Sequence, residues 1–358
     1  MTDIASTGRG TATSEPGPPR LPRPRYRRLP FGGRNSGLFL ALVLAIAFIT
    51  VQHPHYFSWS NFLVVGLQMS YVMICAVGMS VLIIGGSVDL SVGSIFGVAA
   101  VVAALLAKDI PPGFAIVIAI ALAGLFGLIN GALVWRVKLS PLIITLGTLT
   151  ALAGVQNVLT KGFAITSVPA SFSDFGNTSP LGLPMGLFLA VIIVPVGYIV
   201  LHYTTIGRHT FAIGANRDAS QAAGLKLRRL VLGAFVVNGL LAGLAGTVAA
   251  SRYGSADPTF GVNFELDVIT AVVLGGVAFT GGEGGLGGVV LAVALLGVID
   301  SGLVWLNISP FWGDVVSGTV LVIAVSLDQL SSEFRDRRQR RVAMRERRQE
   351  AEGDGAVA

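Results

Sequence analysis

Residues 61–84 read NFLVVGLQMSYVMICAVGMSVLII, an uncharged run of 24 residues. Wound as an α-helix it is about 36 Å long, and about 20 mainly apolar residues are enough to cross the hydrocarbon of a bilayer. Comparable runs follow on both sides. They predict helices near 37–52, 61–84, 90–107, 112–134, 140–160, 183–203, 230–250, 266–279, 285–305 and 312–330. The expected fold class is therefore all-α, a polytopic membrane protein of about ten transmembrane helices. Of the ten, 183–203 and 266–279 are the runs whose full crossing is least secure. The composition agrees, because 53% of the 358 residues are hydrophobic, only 12% are charged and the mean hydropathy is +0.75. A soluble globular enzyme is excluded. The 46 glycines suit close helix packing, and the absence of ten-residue alternating runs argues against an outer-membrane barrel. Cys75 is the only cysteine, so no intramolecular disulfide or CxxC pair can form.

Three regions follow from the same reading. Residues 1–36 carry six Pro and seven Arg against Asp3 and Glu15, and are expected to be a disordered basic tail rather than a cleaved signal peptide. Residues 37–330 form the membrane domain. Residues 331–358 include eight Arg and six acids and read as a charged, solvated tail. Ten crossings put both termini on one side. If that side is the cytoplasm, only Lys108, Lys161 and Arg252 of the 25 basic residues fall outside it, as the positive-inside bias predicts. Basic ends on such a chain report topology, and no nucleic-acid partner is expected.

An internal repeat supports the even number of crossings without using hydropathy. Gly127-Leu-Ile-Asn130-Gly-Ala-Leu133-Val134-Trp135-Arg-Val-Lys-Leu-Ser140-Pro141 aligns with Gly297-Val-Ile-Asp300-Ser-Gly-Leu303-Val304-Trp305-Leu-Asn-Ile-Ser309-Pro310 after one single-residue gap. Arg136 and Lys138 in the first copy stand against Leu306 and Asn307 in the second, the asymmetry expected of an inverted repeat. Inverted repeats commonly build transport proteins, with the substrate path between the halves.

No phosphate loop, HExxH, GxSxG or His/Cys cluster at metal-ligand spacing occurs. No catalytic residue, metal or cofactor is expected on this chain. His53 and His55 lack a third ligand and read as loop residues. Asp89, Asp300 and Asp314 are the acids expected at deeper positions, where an ionisable group suggests function. In Gly85–Ser94 a helix break is expected. Asp89 would cap the next helix on the amides of Ser91 and Val92, with Ser91 and Ser94 adding hydroxyls. The element reads either as a structural cap or as a broken helix lining a path. Asn130 and Asp300, equivalent across the repeat, are a candidate pair for that path. The glycine-rich run 275–288 reads either as close packing or as a gate. In the long loop 204–229, Asp218 is expected to cap a short surface helix, with Gln221 reaching back and Gly224 as its left-handed stop. That helix could anchor on headgroups or dock a cytoplasmic partner.

GGSVDLSVGS (85–94), AIGANRDASQAAGL (212–225), ELDVITAVVLGGVAFTGGEGGLGG (265–288) and the ending LVIAVSLDQL resemble the permease subunits of bacterial ATP-binding-cassette sugar importers. The likeness is to the ribose, xylose and galactose type and covers about residues 37–330. Branched-chain amino-acid permeases are similar in architecture, and DLSVGS favours sugar. The resemblance implies a bacterial inner-membrane permease that pairs with itself and takes sugar from an extracytoplasmic binding protein. It implies docking of a separate ATP-binding subunit, which carries ATP and Mg, through Ala212, Gly214, Asn216, Asp218, Gln221 and Gly224. The family pattern does not predict the Arg-rich tail. The alternative is a stand-alone secondary carrier or channel for a small polar solute.

Overall fold

The computed structural model describes residues 34–137, 139–326 and 329; the greater part of both expected tails lies outside the described residues. Thirteen α-helices are described: α1 (Arg34–Gln52), α2 (Trp59–Ile84), α3 (Val92–Leu106), α4 (Pro112–Val137), α5 (Pro141–Thr160), α6 (Ala170–Asn177), α7 (Met185–Tyr203), α8 (Thr205–Ala215), α9 (Arg217–Ala222), α10 (Leu227–Tyr253), α11 (Phe264–Leu274), α12 (Leu286–Trp305) and α13 (Trp312–Ser326). The one β feature among the described residues is an isolated bridge between Ile165 and Ala256.

Each of the ten expected spans contains a helix among the described residues. Seven of them, α1, α2, α4, α5, α7, α10 and α12, are long and apolar enough to cross a bilayer; 183–203, one of the two less secure runs, is among these as α7. The other, 266–279, is corrected. Its helix α11 has eleven residues, about 16 Å, and ends at Leu274. Gly275 and Gly276 stop it, with Gly276 at φ +103 and its amide on the Val273 carbonyl, while the Val277 amide takes Val272. That is a Schellman ending. The apolar residues beyond it continue as turn, because hydropathy reports burial and not backbone conformation.

Helix α10 runs through the middle of the bundle and packs on α4, α3 and α2, while α7 leans on α2 and α1 on α12. The α4–α10 crossing is a backbone contact. A β-carbon built at Gly127 would strike the Phe235 carbonyl, and one at Gly239 the Ala123 carbonyl. Small residues at such spacing let helices approach closely where the surrounding lipid offers no hydrophobic drive. Ile74, Cys75, Met79, Ile83, Ile95 and Val248 fill the interior around α2, α3 and α10. The outward apolar side chains, such as Phe39, Phe114 and Ile143, fit lipid.

The repeated motifs run into the turns at the ends of α4 and α12. Trp135 and Trp305 occupy matching places in the two copies, with different partners. Trp305 stands edge-on to Tyr56 and donates its indole N–H to Asn61 Oδ1 at 3.2 Å, whereas Trp135 lies under the Arg217 guanidinium.

A surface segment joined to the helix breaks, and a buried polar network

Loop 204–229 folds into two helices where one was expected. Thr204 caps α8, its hydroxyl accepting from the Gly207 amide. The cap of α9 is Asn216, not Asp218: Asn216 Oδ1 accepts from the Ala219 amide at 2.9 Å. Asp218 falls in the first turn, where its charge faces the positive helix end. This register turns Ser220 into the protein and leaves Asp218 and Gln221 exposed. The Gly224 stop is as expected, at φ +79, with its amide on the Gln221 carbonyl and the Leu225 amide on Ser220. Of the six residues singled out here, Ala212, Asn216, Asp218, Gln221 and Gly224 are exposed, and Gly214 alone turns inward.

Gly214 sits on the end of α2. That helix ends in a Schellman motif of its own, with Gly86 at φ +75, the Gly86 amide on Ile83 and the Ser87 amide on Leu82. The motif leaves the Ile84 carbonyl over, and the Gly282 amide of the α11–α12 turn takes it at 2.8 Å. A β-carbon at Gly214 would collide with that same carbonyl. Three residues on, the start of α9 is held by Arg217, whose guanidinium lies 5.7 Å from the Trp135 ring centroid. Such a stack contributes about 0.5–1 kcal/mol at an exposed site. Substituting Asn216 by Ala is expected to weaken α9 by about 1 kcal/mol while the membrane bundle stays intact. Faster tryptic cleavage after Arg217, with unchanged thermal unfolding of the bundle, is the result expected.

The break at Gly85–Ser94 carries a buried polar network. Asp89 precedes α3 by two residues beyond its N-cap, Ser91. Its Oδ1 accepts from the Ser91 amide at 2.9 Å and the Ser91 hydroxyl at 2.6 Å, so the expected bond to Val92 is replaced by a second one to Ser91. Asn238 of α10 donates to Asp89 Oδ2 at 3.1 Å. Asn130 of α4 donates to Ser91 Oγ at 2.8 Å and accepts from Thr148 of α5 at 2.7 Å. Thr145 of α5 accepts from the Leu90 amide at 3.1 Å. Asp89, Ser91, Asn130 and Asn238 are all 0% exposed. The network ties the α2–α3 break to α4, α5 and α10. Ser94 donates to the Leu149 carbonyl at 2.9 Å and pins α3 to α5.

Asn130 and Asp300 do not meet as a pair. Asn130 is enclosed in the network, whereas Asp300 is exposed on α12 beside Gly313 of α13. Asn238 and Thr148 are additional members of the network, and a lone Asn in the apolar run VLGAFVVNGLLAG is a signal visible in the sequence. Among the described residues no group of three or more His, Cys, Asp or Glu could hold a metal.

The family described as branched-chain amino-acid transport system / permease component matches residues 61–325. Among curated proteins, the ribose import permease protein RbsC of Bacillus subtilis is 36% identical over 311 residues, covering 86% of this chain and 97% of the relative. RbsC of Escherichia coli K12 is 33% identical, covering 81% and 92%. The galactose/methyl galactoside import permease protein MglC of the same strain is 31% identical, covering 83% and 94%. No solved structure matches. With the membrane domain matched almost from end to end and the surface segment and both glycine breaks inside the matched range, the chain belongs to this permease-component family, in the ribose- and galactose-type branch of ATP-binding-cassette import permeases.

Proposed function

We propose that the chain is the membrane-spanning subunit of an ATP-driven, binding-protein-dependent importer of a monosaccharide in the ribose/galactose class. Two copies form the path, with both termini in the cytoplasm. The α8–α9 end faces the cytoplasm and contacts a separate ATPase, on which ATP and Mg are bound and hydrolysed. The opposite end receives sugar from an extracytoplasmic binding protein. The observation that carries this reading is the α8–α9 segment itself. Its exposed face carries Ala212, Asn216, Asp218 and Gln221, while its inner face is seated directly on the helix breaks. A short helical unit held in this way passes on a push instead of absorbing it. ATPase closure would tilt α7 and α10, which flank the segment at Tyr203 and Leu227, between inward- and outward-facing states.

Asp89, Ser91, Ser94 and Asn130 act in this reading by holding the break that borders the path. Asp300 stands on the second repeat as the residue open to it.

The test is to tag the chain, extract it gently from its native membrane and identify what co-purifies. Recovery of an ATP-binding subunit is expected. Exchange of the exposed pair Asp218→Lys and Gln221→Lys should lower that recovery about tenfold, or about 1.4 kcal/mol, without loss of the folded chain. Repeated recovery without any ATPase, after crosslinking as well, would overturn the proposal. Uptake abolished by a protonophore yet indifferent to ATP would favour a secondary carrier.

A further inference from the structure

We propose that Ile84, Gly86, Gly214 and Gly281–Gly282 form one rigid node through which the α8–α9 segment moves both inverted halves of the membrane domain together. The inference rests on reading α8–α9 as the ATPase contact.

Three pieces of backbone come into direct contact here. The first is the end of α2, which leads through Gly85–Gly86 into the half holding the Gly127–Pro141 copy. The second is the α11–α12 turn, which leads into the half holding Gly297–Pro310. The third is the end of α8, from the segment between the halves. Gly282 donates to Ile84 across the first two. Gly214 closes the third side, since its β-carbon would meet both the Ile84 carbonyl and the Gly282 amide. A β-carbon at Gly281 would lie 3.1 Å from Gly86 Cα and 3.2 Å from the Gly214 carbonyl, and one at Gly282 only 2.7 Å from Ala215 Cα. Gly86, Gly281 and Gly282 also have φ between +75 and +86, a conformation that a side chain would strain.

Close-packed backbone transmits displacement, because there are no rotamers to take it up. A contact cushioned by leucines or methionines could let α8 move while the helix breaks stayed in place. This one couples the motion of α8 to both breaks in the same step. It also decides between the two readings of the 275–288 run. Gly281 and Gly282 serve close packing, and through that packing the run moves with α8.

The experiment uses the full complex in proteoliposomes, following sugar imported and ATP hydrolysed together. Gly214→Ala is expected to keep its ATPase partner but to import about tenfold less sugar per ATP, the scale of effect that overpacking one close contact brings. Gly233→Ala, on an open face of α10 with nothing within 4 Å, should match wild type. A wild-type ratio of sugar to ATP in Gly214→Ala would overturn the node. Because Gly214→Ala could also disturb folding, a second variant tests rigidity directly. A β-carbon at Gly85 lies 3.5 Å from Thr210 Cγ2, so the pair Gly85→Cys and Thr210→Cys can be oxidised across α2 and α8. If the node moves as one body, the oxidised pair imports sugar as well as the reduced pair. Loss of uptake on oxidation, restored by reductant, would show that α8 slides on α2 and would overturn the proposal. Failure of the wild-type chain to recover any ATPase sinks the underlying reading instead, so the two failures are distinguishable.

Discussion

Exchange of Asp89 for Leu is expected to destabilise the folded chain by on the order of 3 kcal/mol. The carboxylate accepts from the Ser91 amide, the Ser91 hydroxyl and Asn238 Nδ2, and every one of these groups is buried. A leucine of similar size fills the space and accepts nothing, leaving three buried donors without partners at about 1 kcal/mol or more each. The loss then spreads. Ser91 is also the acceptor for Asn130, and Asn130 the acceptor for Thr148, so the ties to α4 and α5 loosen together. The conservative exchange Asp89→Asn should cost much less. It keeps one acceptor oxygen for Ser91, and Asn238 can turn its amide to offer Oδ1, an atom that has no hydrogen-bond partner in the native arrangement. Cys75 gives a direct readout, since it is the only thiol in the chain and is 0% exposed. Its reaction with a thiol-reactive fluorophore on heating marks unfolding. The midpoint for Asp89→Leu should fall by about 5–10 °C. A midpoint indistinguishable from wild type would show that the network is dispensable for stability.

The helices were legible because each needed only a long apolar run, a property carried by every residue in it. The α2–α3 break was legible for a different reason. Gly85-Gly86 and Asp89 are local signals whose meaning does not depend on distant chain. What escaped were features decided by contacts far apart in sequence. Asn238 is 149 residues from Asp89, and nothing in its own run says which carboxylate it will meet. Asp218 and Asn216 are both good capping residues. The choice between them falls to tertiary packing, since starting the helix at Arg217 buries Ser220 and brings Arg217 over Trp135. The segment TIGRHTFAIGA is too polar for a crossing, and its one local helix signal is the Thr204 cap of a helix along the surface. Equivalence in a repeat does not fix neighbours either: Asn130 meets the α2–α3 break and Asp300 the start of α13.

Gly239→Leu is expected to remove most of the folded protein from the membrane, the largest effect foreseen for a single substitution. At the α4–α10 crossing a β-carbon at Gly239 already collides with the Ala123 carbonyl, and the neighbouring Gly243 has no more room, since its β-carbon would meet the Ala123 side chain. The helices cannot separate by the width of a leucine without dragging α10 away from α3 and α2, which it also packs against, and Asn238, the next residue, away from Asp89. One steric change therefore breaks the central crossing and the polar network together. Overpacking alone costs about 1–3 kcal/mol, and the lost network adds its own unpaired groups. Helix propensity predicts the opposite sign, which makes the test sharp. Gly→Ala within a helix gains up to about 1 kcal/mol where nothing is in the way. Gly233→Ala, six residues earlier on an open face of the same helix, should therefore leave stability unchanged or raise it. Gly239→Ala should lower it, and Gly239→Leu should abolish the monodisperse protein recovered in detergent. If Gly239→Ala and Gly233→Ala shifted the Cys75 unfolding midpoint upward alike, propensity would outweigh packing at this crossing, and the close α4–α10 contact would not be what holds α10 in place.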